Sequence, residues 1–338
     1  MTTHDARGEP RPIVARPSSH DELTRRTERW LLWGLAGYGS VVAALMFVGG
    51  LRLTPDVLFV ALALAAVLIG RTRLFFRDWL PFIVIFLAYE LMRGIADDAG
   101  FPVHVADVAA IEMAMFGGIL PTAWLQERLA PADGVGPWAV AAVVVYMLHF
   151  ALPIVTGFLL WARDRALYHA FIMAFILLSF AGFVTYLFLP VAPPWFAANE
   201  GILNGPDGEP MIRYLKHAGA AEVAEFLGFP DGRQVSSYVF YGFNPNHVAA
   251  FPSLHAAYPF LTFLVLRSTF GAVGWLALAY AFVVWWSIVF TGDHYVVDVL
   301  GGVVYAWAAY LVAPRLTGWF AALTRRRANA QAPPRDAG

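Results

Sequence analysis

The sequence predicts an all-α, polytopic membrane protein with about eight transmembrane helices, on three observations. Of 338 residues, 59% are hydrophobic, and the mean hydropathy is +0.60. Charged residues make up 14%, about half the share usual in soluble domains. Apolar runs of spanning length recur along the chain. Cysteine is absent, which excludes disulfides and thiolate metal sites. A formal net charge of −1 argues against a nucleic-acid partner.

Residues 1–29 are polar, carry six arginines from Arg7 to Arg29, and read as a disordered cytoplasmic tail rather than a cleavable signal. Residues 30–70 supply two accessory helices, at 30–50 and 56–70, the second short for a crossing. Residues 71–320 form the main membrane domain, with helices expected at 75–93, 137–161, 166–190, 252–270, 272–291 and 295–314. Two outer loops interrupt it, 94–136 and 191–251. In the first, residues 104–130 break at Gly117-Gly118 and Pro121 and predict two short interfacial helices. The second is rich in Gly, Pro and Asn, with one short amphipathic helix expected in "MIRYLKHAGAAEVAEFLGF". A loop of that length is usually functional. Residues 321–338 read as a second disordered tail.

Arginine sets the orientation. With eight spans, one side receives the N-terminal tail, Arg71, Arg73, Arg77, Arg163, Arg165, Arg267, Arg315 and Arg325-Arg326-Arg327. The other receives Arg52, Arg93, Arg128, Arg213, Lys216 and Arg233, spread over longer loops. The positive-inside rule makes the first side cytoplasmic and turns both long loops outward. The expected location is a plasma or inner membrane, with the functional site on the extracytoplasmic side.

Two stretches carry chemistry. "AFPSLHAAYPF" places His255 in the first turn of an apolar helix, where a histidine is costly without a purpose. "WWSIVFTGDHYVVDVLGG" places His294 and Asp298 four residues apart, on one helix face. Asp298 can then hold one imidazole nitrogen of His294 and leave the other free and more basic. Both histidines fall at outer helix starts. The helix ending in "FLPVAPPWFA" and the one ending with Tyr89 and Arg93 finish on the same side. The two helix N-termini are expected to add free backbone N–H groups suited to a phosphate.

"PSLHAAYP" and "GDHYVVD" resemble the second and third signature motifs of the type-2 phosphatidic acid phosphatase superfamily. The detail is closer to the branch of the inositol phosphorylceramide synthases: PSLH in place of PSGH, an aromatic after the third-motif histidine, and a "PPW" motif at Pro193-Pro194-Trp195. The similarity covers roughly residues 75–315. The resemblance implies a six-helix phosphatase-type core with the first two helices added. It also implies that His294 is the nucleophile forming a phosphohistidine, that Asp298 orients it, and that His255 is the acid/base. Ser253 of PSLH, Pro194 and Trp195 of PPW, and Tyr89 are candidate substrate-binding residues. Superfamily phosphatases carry an arginine six residues before the third-motif histidine, where this chain has Ile288, and their lysine-rich first motif is absent. Phosphate charge must therefore be met elsewhere: Arg93 at its helix end is the first candidate, and Arg213 and Arg233 in the loop are further ones.

The implied activity is a phosphotransferase that moves a phospho-alcohol head group, such as inositol phosphate, from a phospholipid donor to a lipid acceptor. Hydrolysis of a lipid or polyprenyl phosphate is the alternative, with the same residues. No cofactor or metal is expected, although two histidines and a carboxylate are also a known zinc set. A transporter using the three groups as a proton relay is a more distant alternative. His149 and His169 are expected outside the site, His247 at its entrance, and Asp293 either tuning His294 or capping its helix. The single lysine, Lys216, carries no functional signal in the sequence.

Overall fold

The computed structural model describes residues 55–93, 100–132, 134–149, 151–226 and 248–330. All belong to one of the chain's two compact units, Met46–Gly338. The expected helix at 30–50, Arg233 and His247 lie outside the described residues. Every regular element among the described residues is helical, apart from isolated backbone bridges.

Among the described residues, twelve α-helices follow in chain order: α1 Pro55–Leu68, α2 Thr72–Arg93, α3 Ala106–Met115, α4 Pro121–Leu129, α5 Gly136–Leu148, α6 Ala151–Arg163, α7 Arg165–Phe188, α8 Pro194–Asn199, α9 Leu215–Phe226, α10 Leu254–Phe270, α11 Gly274–Phe290 and α12 Val296–Ala330. The two short helices expected within 104–130 are α3 and α4. The helix expected in the second loop is α9, and α8 adds a turn begun by Pro194, whose fixed φ and missing N–H suit a first helical position. α12 runs to Ala330, so the first part of the stretch expected to be a tail is helical.

Among the described residues, three segments have the length and composition of a membrane crossing: Gly136–Arg163, Arg165–Phe188 and Val296–Gly318. The other expected spans that lie within the described residues fall short of that measure for physical reasons. α11 is apolar, but at 17 residues it rises only about 26 Å against a hydrocarbon core of about 30 Å. α10 has the same length. α2 has 22 residues but carries Arg73, Arg77, Asp78, Glu90 and Arg93. On α12, Leu300, Val304, Trp307 and Leu311 recur at helical spacing and are all exposed, a stripe suited to lipid contact.

Polar ties mark the two ends of α7. At its start, Asp78 of α2 accepts from Arg165 Nε at 2.6 Å, from an Arg165 terminal nitrogen at 2.7 Å, and from Trp161 Nε1 at 3.0 Å. About 36 Å away along the helix, its other end leads into Val191, which bonds to two distant loops. Val191 N–H donates to the Val248 carbonyl, and the Val191 carbonyl accepts from Ala250 N–H. His104 N–H donates to Pro190 O, and the His104 carbonyl accepts from Ala192 N–H. The two loops expected to face one side are thus stitched together at one end of the bundle. Val108, Ala109, Ala123, Ala197, Ile212 and Tyr295 form an apolar cluster there.

Two glycines set how closely the last helix docks. A Cβ on Gly302 would lie 2.3 Å from the Ser253 carbonyl oxygen, and one on Gly301 would lie 2.4 Å from the Phe251 ring. Only glycine lets α12 cross the 251–253 segment at this distance. Between α11 and α12, Gly292 has φ +86°, and its carbonyl accepts from Trp195 N–H.

Gly302→Ala is expected to destabilise the fold by about 1–3 kcal/mol, because a backbone carbonyl cannot yield as a side chain can. Gly318→Ala, with open space around its Cβ, should be neutral. Thermal unfolding of both variants in detergent checks this, and equal midpoints would refute the close-crossing account.

Candidate active site

His255 lies in the first turn of α10. The N-cap of that helix is Ser253, whose hydroxyl accepts from Ala256 N–H at 3.2 Å. The Ser253 N–H in turn donates to the Asp298 carbonyl at 3.0 Å, which joins the start of α10 to that of α12. His294 precedes α12 in a tight turn, where its N–H and that of Asp293 both donate to the Ile288 carbonyl. Asp298 Oδ2 accepts from Tyr295 N–H at 2.8 Å, so the carboxylate folds back over the turn carrying His294.

These constraints bring the two histidines together. His255 Nδ1 and His294 Nε2 are 2.9 Å apart. The other nitrogen of His294, Nδ1, approaches Asp298 Oδ2 at 3.5 Å, an ion-pair distance rather than a formed hydrogen bond. The side chain of Asp298 is fully buried and that of His294 is 5% exposed, whereas His255 is half-buried.

The second nitrogen of His255, Nε2, lies 2.8 Å from the Tyr146 hydroxyl of α5. Lys216, in the first turn of α9, approaches that hydroxyl at 3.5 Å and donates to Asp293 Oδ1 at 2.5 Å. Burial alone would push this ammonium's pKa down, but the Asp293 carboxylate holds it well above the ordinary lysine value. Thr291 Oγ1 donates to Asp293 Oδ2 at 2.7 Å, and the Tyr214 hydroxyl donates to Oδ1 at 3.3 Å. Asp293 is therefore a buried member of a polar network and not a solvated cap. Burial and the adjacent Lys216 charge lower the neighbouring His217 to about 4, so it is neutral at pH 7.

Two expectations are corrected. The start of α12 offers no free backbone N–H to a phosphate at residues 295–297. Tyr295 N–H is taken by Asp298, and Val296 and Val297 N–H donate to the two oxygens of Glu112 at 2.9 and 3.0 Å. Glu112, fully buried on α3, occupies the position an anion would take. Burial raises its carboxyl pKa against the pull of those two N–H groups. His149 was expected to stand apart, yet its ring packs 4.8 Å from that of His255 and 4.9 Å from that of Tyr146, with Nδ1 on the Tyr146 carbonyl. His169 is exposed and meets only Tyr168 among the ring contacts of the described residues.

The other expected binding residues are dispersed. Trp195 stacks on Tyr214 at 4.6 Å and so flanks the network through Asp293, and Pro194 is buried beside it. The Arg213 guanidinium donates to the carbonyls of Pro131, Ala132 and Gly134, clamping a loop. Tyr89 is buried among Phe86, Phe180 and Phe183 in helix packing. Arg93 is the last residue of α2. Ile288, at the position where superfamily phosphatases place an arginine, is buried in an apolar cluster with Tyr146, Val284 and Val299. No group of three or more potential metal ligands occurs among the described residues.

Tyr146, Glu112 and Lys216 were not singled out as site residues from sequence. The one available signal was the rarity of lysine, which occurs once.

A family model described as the PAP2 superfamily matches residues 108–312. Among curated proteins, the chain is 31% identical over 249 residues to a phosphoinositol dihydroceramide synthase of Bacteroides thetaiotaomicron, covering 69% of this chain and 74% of that one. It is 26% identical to an inositol phosphorylceramide synthase of Candida albicans, over 81% of this chain and 56% of that one. It is 24% identical to the catalytic subunit of the Saccharomyces cerevisiae inositol phosphorylceramide synthase, over 72% and 57%. The chain thus spans little more than half the length of these fungal relatives. No solved structure matches it significantly. The apolar helices and these membrane-enzyme relatives make it an integral membrane protein, and with residues 108–312 inside the family model the chain belongs to the PAP2 superfamily as one of its enzymes.

Proposed function

We propose that this enzyme transfers inositol phosphate from an inositol phospholipid to the hydroxyl of a ceramide-type lipid through a phosphohistidine on His294. The observation that carries the reading is the 2.9 Å contact between His294 Nε2 and His255 Nδ1, with Asp298 behind the nucleophile. The names of the relatives favour the head group and the acceptor.

In the first step, the lone pair on His294 Nε2 attacks phosphorus. The bond from phosphorus to the diacylglycerol oxygen breaks, and that oxygen takes the proton from a protonated His255 at Nδ1. Asp298 steadies the positive charge that develops on His294. In the second step, His255 Nδ1 removes the acceptor's hydroxyl proton, the acceptor oxygen attacks phosphorus, and the bond from phosphorus to nitrogen breaks. The covalent intermediate divides one difficult displacement into two easier ones, and acid/base assistance adds about 10²–10⁴ in rate. Arg93 is the cation proposed to meet the phosphate. Ser253, Pro194, Trp195 and Tyr89 then shape the surroundings. Ser253 does so by holding the start of α10, Trp195 through Tyr214, and Tyr89 through packing of α2 on α7.

The proposed topology has eight spans, both termini in the cytoplasm and the site on the extracytoplasmic side, supported by the distribution of arginine. The chain has no native cysteine, so single cysteines report sidedness directly. Glu209→Cys should react with a membrane-impermeant maleimide in intact cells and Arg315→Cys should not. The reverse pattern would invert the topology.

The activity is tested with purified protein in detergent, phosphatidylinositol labelled in its head group, and a ceramide added or omitted. Label should move to the ceramide, with turnover abolished in His294→Ala and reduced by up to about 10⁴ in Asp298→Asn. Release of label only as soluble inositol phosphate would make the protein a hydrolase. Activity should survive chelators, and its loss on chelation would refute a phosphohistidine mechanism without metal.

A further inference from the structure

We propose that Tyr146, backed by Lys216, is a positioning residue that holds His255 so that Nδ1 is its proton-transferring atom. This rests on the acid/base role given to His255 above. The argument follows hydrogen-bond direction. The Lys216 ammonium has three donors and no acceptor, so Asp293 Oδ1 and the Tyr146 oxygen both accept from it. The hydroxyl proton of Tyr146 is then turned toward His255 Nε2, 2.8 Å away. With Nε2 accepting, neutral His255 carries its hydrogen on Nδ1, which faces His294 Nε2 at 2.9 Å.

The ion-pair contact at the opposite end of the chain points the same way. Ionised Asp298 only accepts. The His294 nitrogen facing it, Nδ1, therefore carries hydrogen, and the His294 lone pair lies on Nε2. His255 Nδ1 must then donate to it. An ammonium at one end and a carboxylate at the other impose a single direction on the sequence Lys216, Tyr146, His255, His294, Asp298.

A hydroxyl is suited to this position because it both donates and accepts. When His255 takes a second proton, Nε2–H donates to the Tyr146 oxygen, and the ring keeps its orientation. When Nδ1–H then passes to the leaving oxygen, the proton on Nε2 stays, and Nδ1 has a lone pair for the acceptor's hydroxyl. The Lys216 charge is balanced locally by Asp293, which Thr291 and Tyr214 also hold. Phenylalanine at 146 would preserve the ring packing against His149 and His255, at 4.9 and 5.0 Å, and remove only the hydroxyl.

The test uses full-length protein in detergent, labelled with 15N in its histidine rings, with His255→Gln assigning the His255 signals. Wild type should show neutral His255 as the Nδ1–H tautomer, and Tyr146→Phe should shift it toward a mixture of both. Unchanged His255 signals in Tyr146→Phe would overturn the proposal, whatever the substrate proves to be. In the lipid transfer assay, Tyr146→Phe should lower kcat by about 10–100-fold, a part of the acid/base contribution, and leave KM within about twofold. In a His255→Ala background, which has no imidazole to position, it should cost nothing further. Lys216→Met should move the same tautomer signal, and Lys216→Arg, which keeps the donors, should partly restore it. Full additivity of Tyr146→Phe and His255→Ala would also overturn the proposal. Absence of lipid turnover in the wild type would sink the transferase reading alone, since the ring signals stand apart from it.

Discussion

The site depends on how closely the beginning of α12 approaches the beginning of α10. Gly302 lets the Ser253 carbonyl come within a distance that any side chain would forbid. The Ser253 N–H then reaches the Asp298 carbonyl, and the two histidines face each other. Neither histidine could be placed by its own helix alone, because each sits at an end, where helices fray. The ends are held instead by polar ties. Ser253 caps α10, Asp298 and Glu112 take the first N–H groups of α12, and the Tyr186 hydroxyl donates to the Pro252 carbonyl at 2.7 Å. A displacement of about 1 Å at such a site can cost two orders of magnitude in rate, which gives these buried ties a purpose beyond stability.

This manner of holding α12 has an electrostatic consequence. A helix N-terminus is a ready anion site, yet here it is filled by two carboxylates of the chain itself. Ile288 adds no charge, and Lys216 is already paired with Asp293. In the proposed reaction the phosphate charge would have to be met by groups outside the α12 turn, since the start of α12 already anchors Glu112 and Asp298. Buried ion pairs of this kind contribute little net stability. They do fix direction, because the Lys216 ammonium can only donate and an ionised Asp298 can only accept.

Much of this was legible in the sequence where the pattern is local. His294 and Asp298 are four residues apart, Ser253 and His255 are two apart, and both groups stand beside glycine or proline at the mouth of an apolar run. The breaks at Gly117-Gly118 and Pro121 likewise separated α3 from α4 correctly. Glu112, Tyr146 and Lys216 were not legible, since each reaches the site from a different segment and its partner is 70 or more residues away. A lone glutamate in an apolar stretch, or a tyrosine in "VVVYMLHF", has no periodicity that announces a tertiary contact. The number of spans is matched in part, with three segments among the described residues that have the length and composition of a crossing. Hydropathy registers an apolar run, but α10 and α11 are 17 residues long, α10 beginning and α11 ending at the turns that carry the histidines.

The same arrangement bears on the choice between a lipid hydroxyl and water as second nucleophile, which the three reacting residues alone do not make. The side chains of His294 and Asp298 are almost wholly enclosed, and their nearest polar neighbours are other side chains and backbone. His255 is the more accessible partner, and in the proposed mechanism it deprotonates the acceptor. An acceptor therefore has to arrive on the His255 side, near the bundle end where the two long loops are stitched to Val191. A lipid hydroxyl held at the membrane surface is presented there in a fixed orientation, whereas water must enter a site that already excludes it from the nucleophile. Enclosure of this kind would protect the proposed phosphohistidine from hydrolysis, and it favours the proposed transfer to a second lipid over release to water.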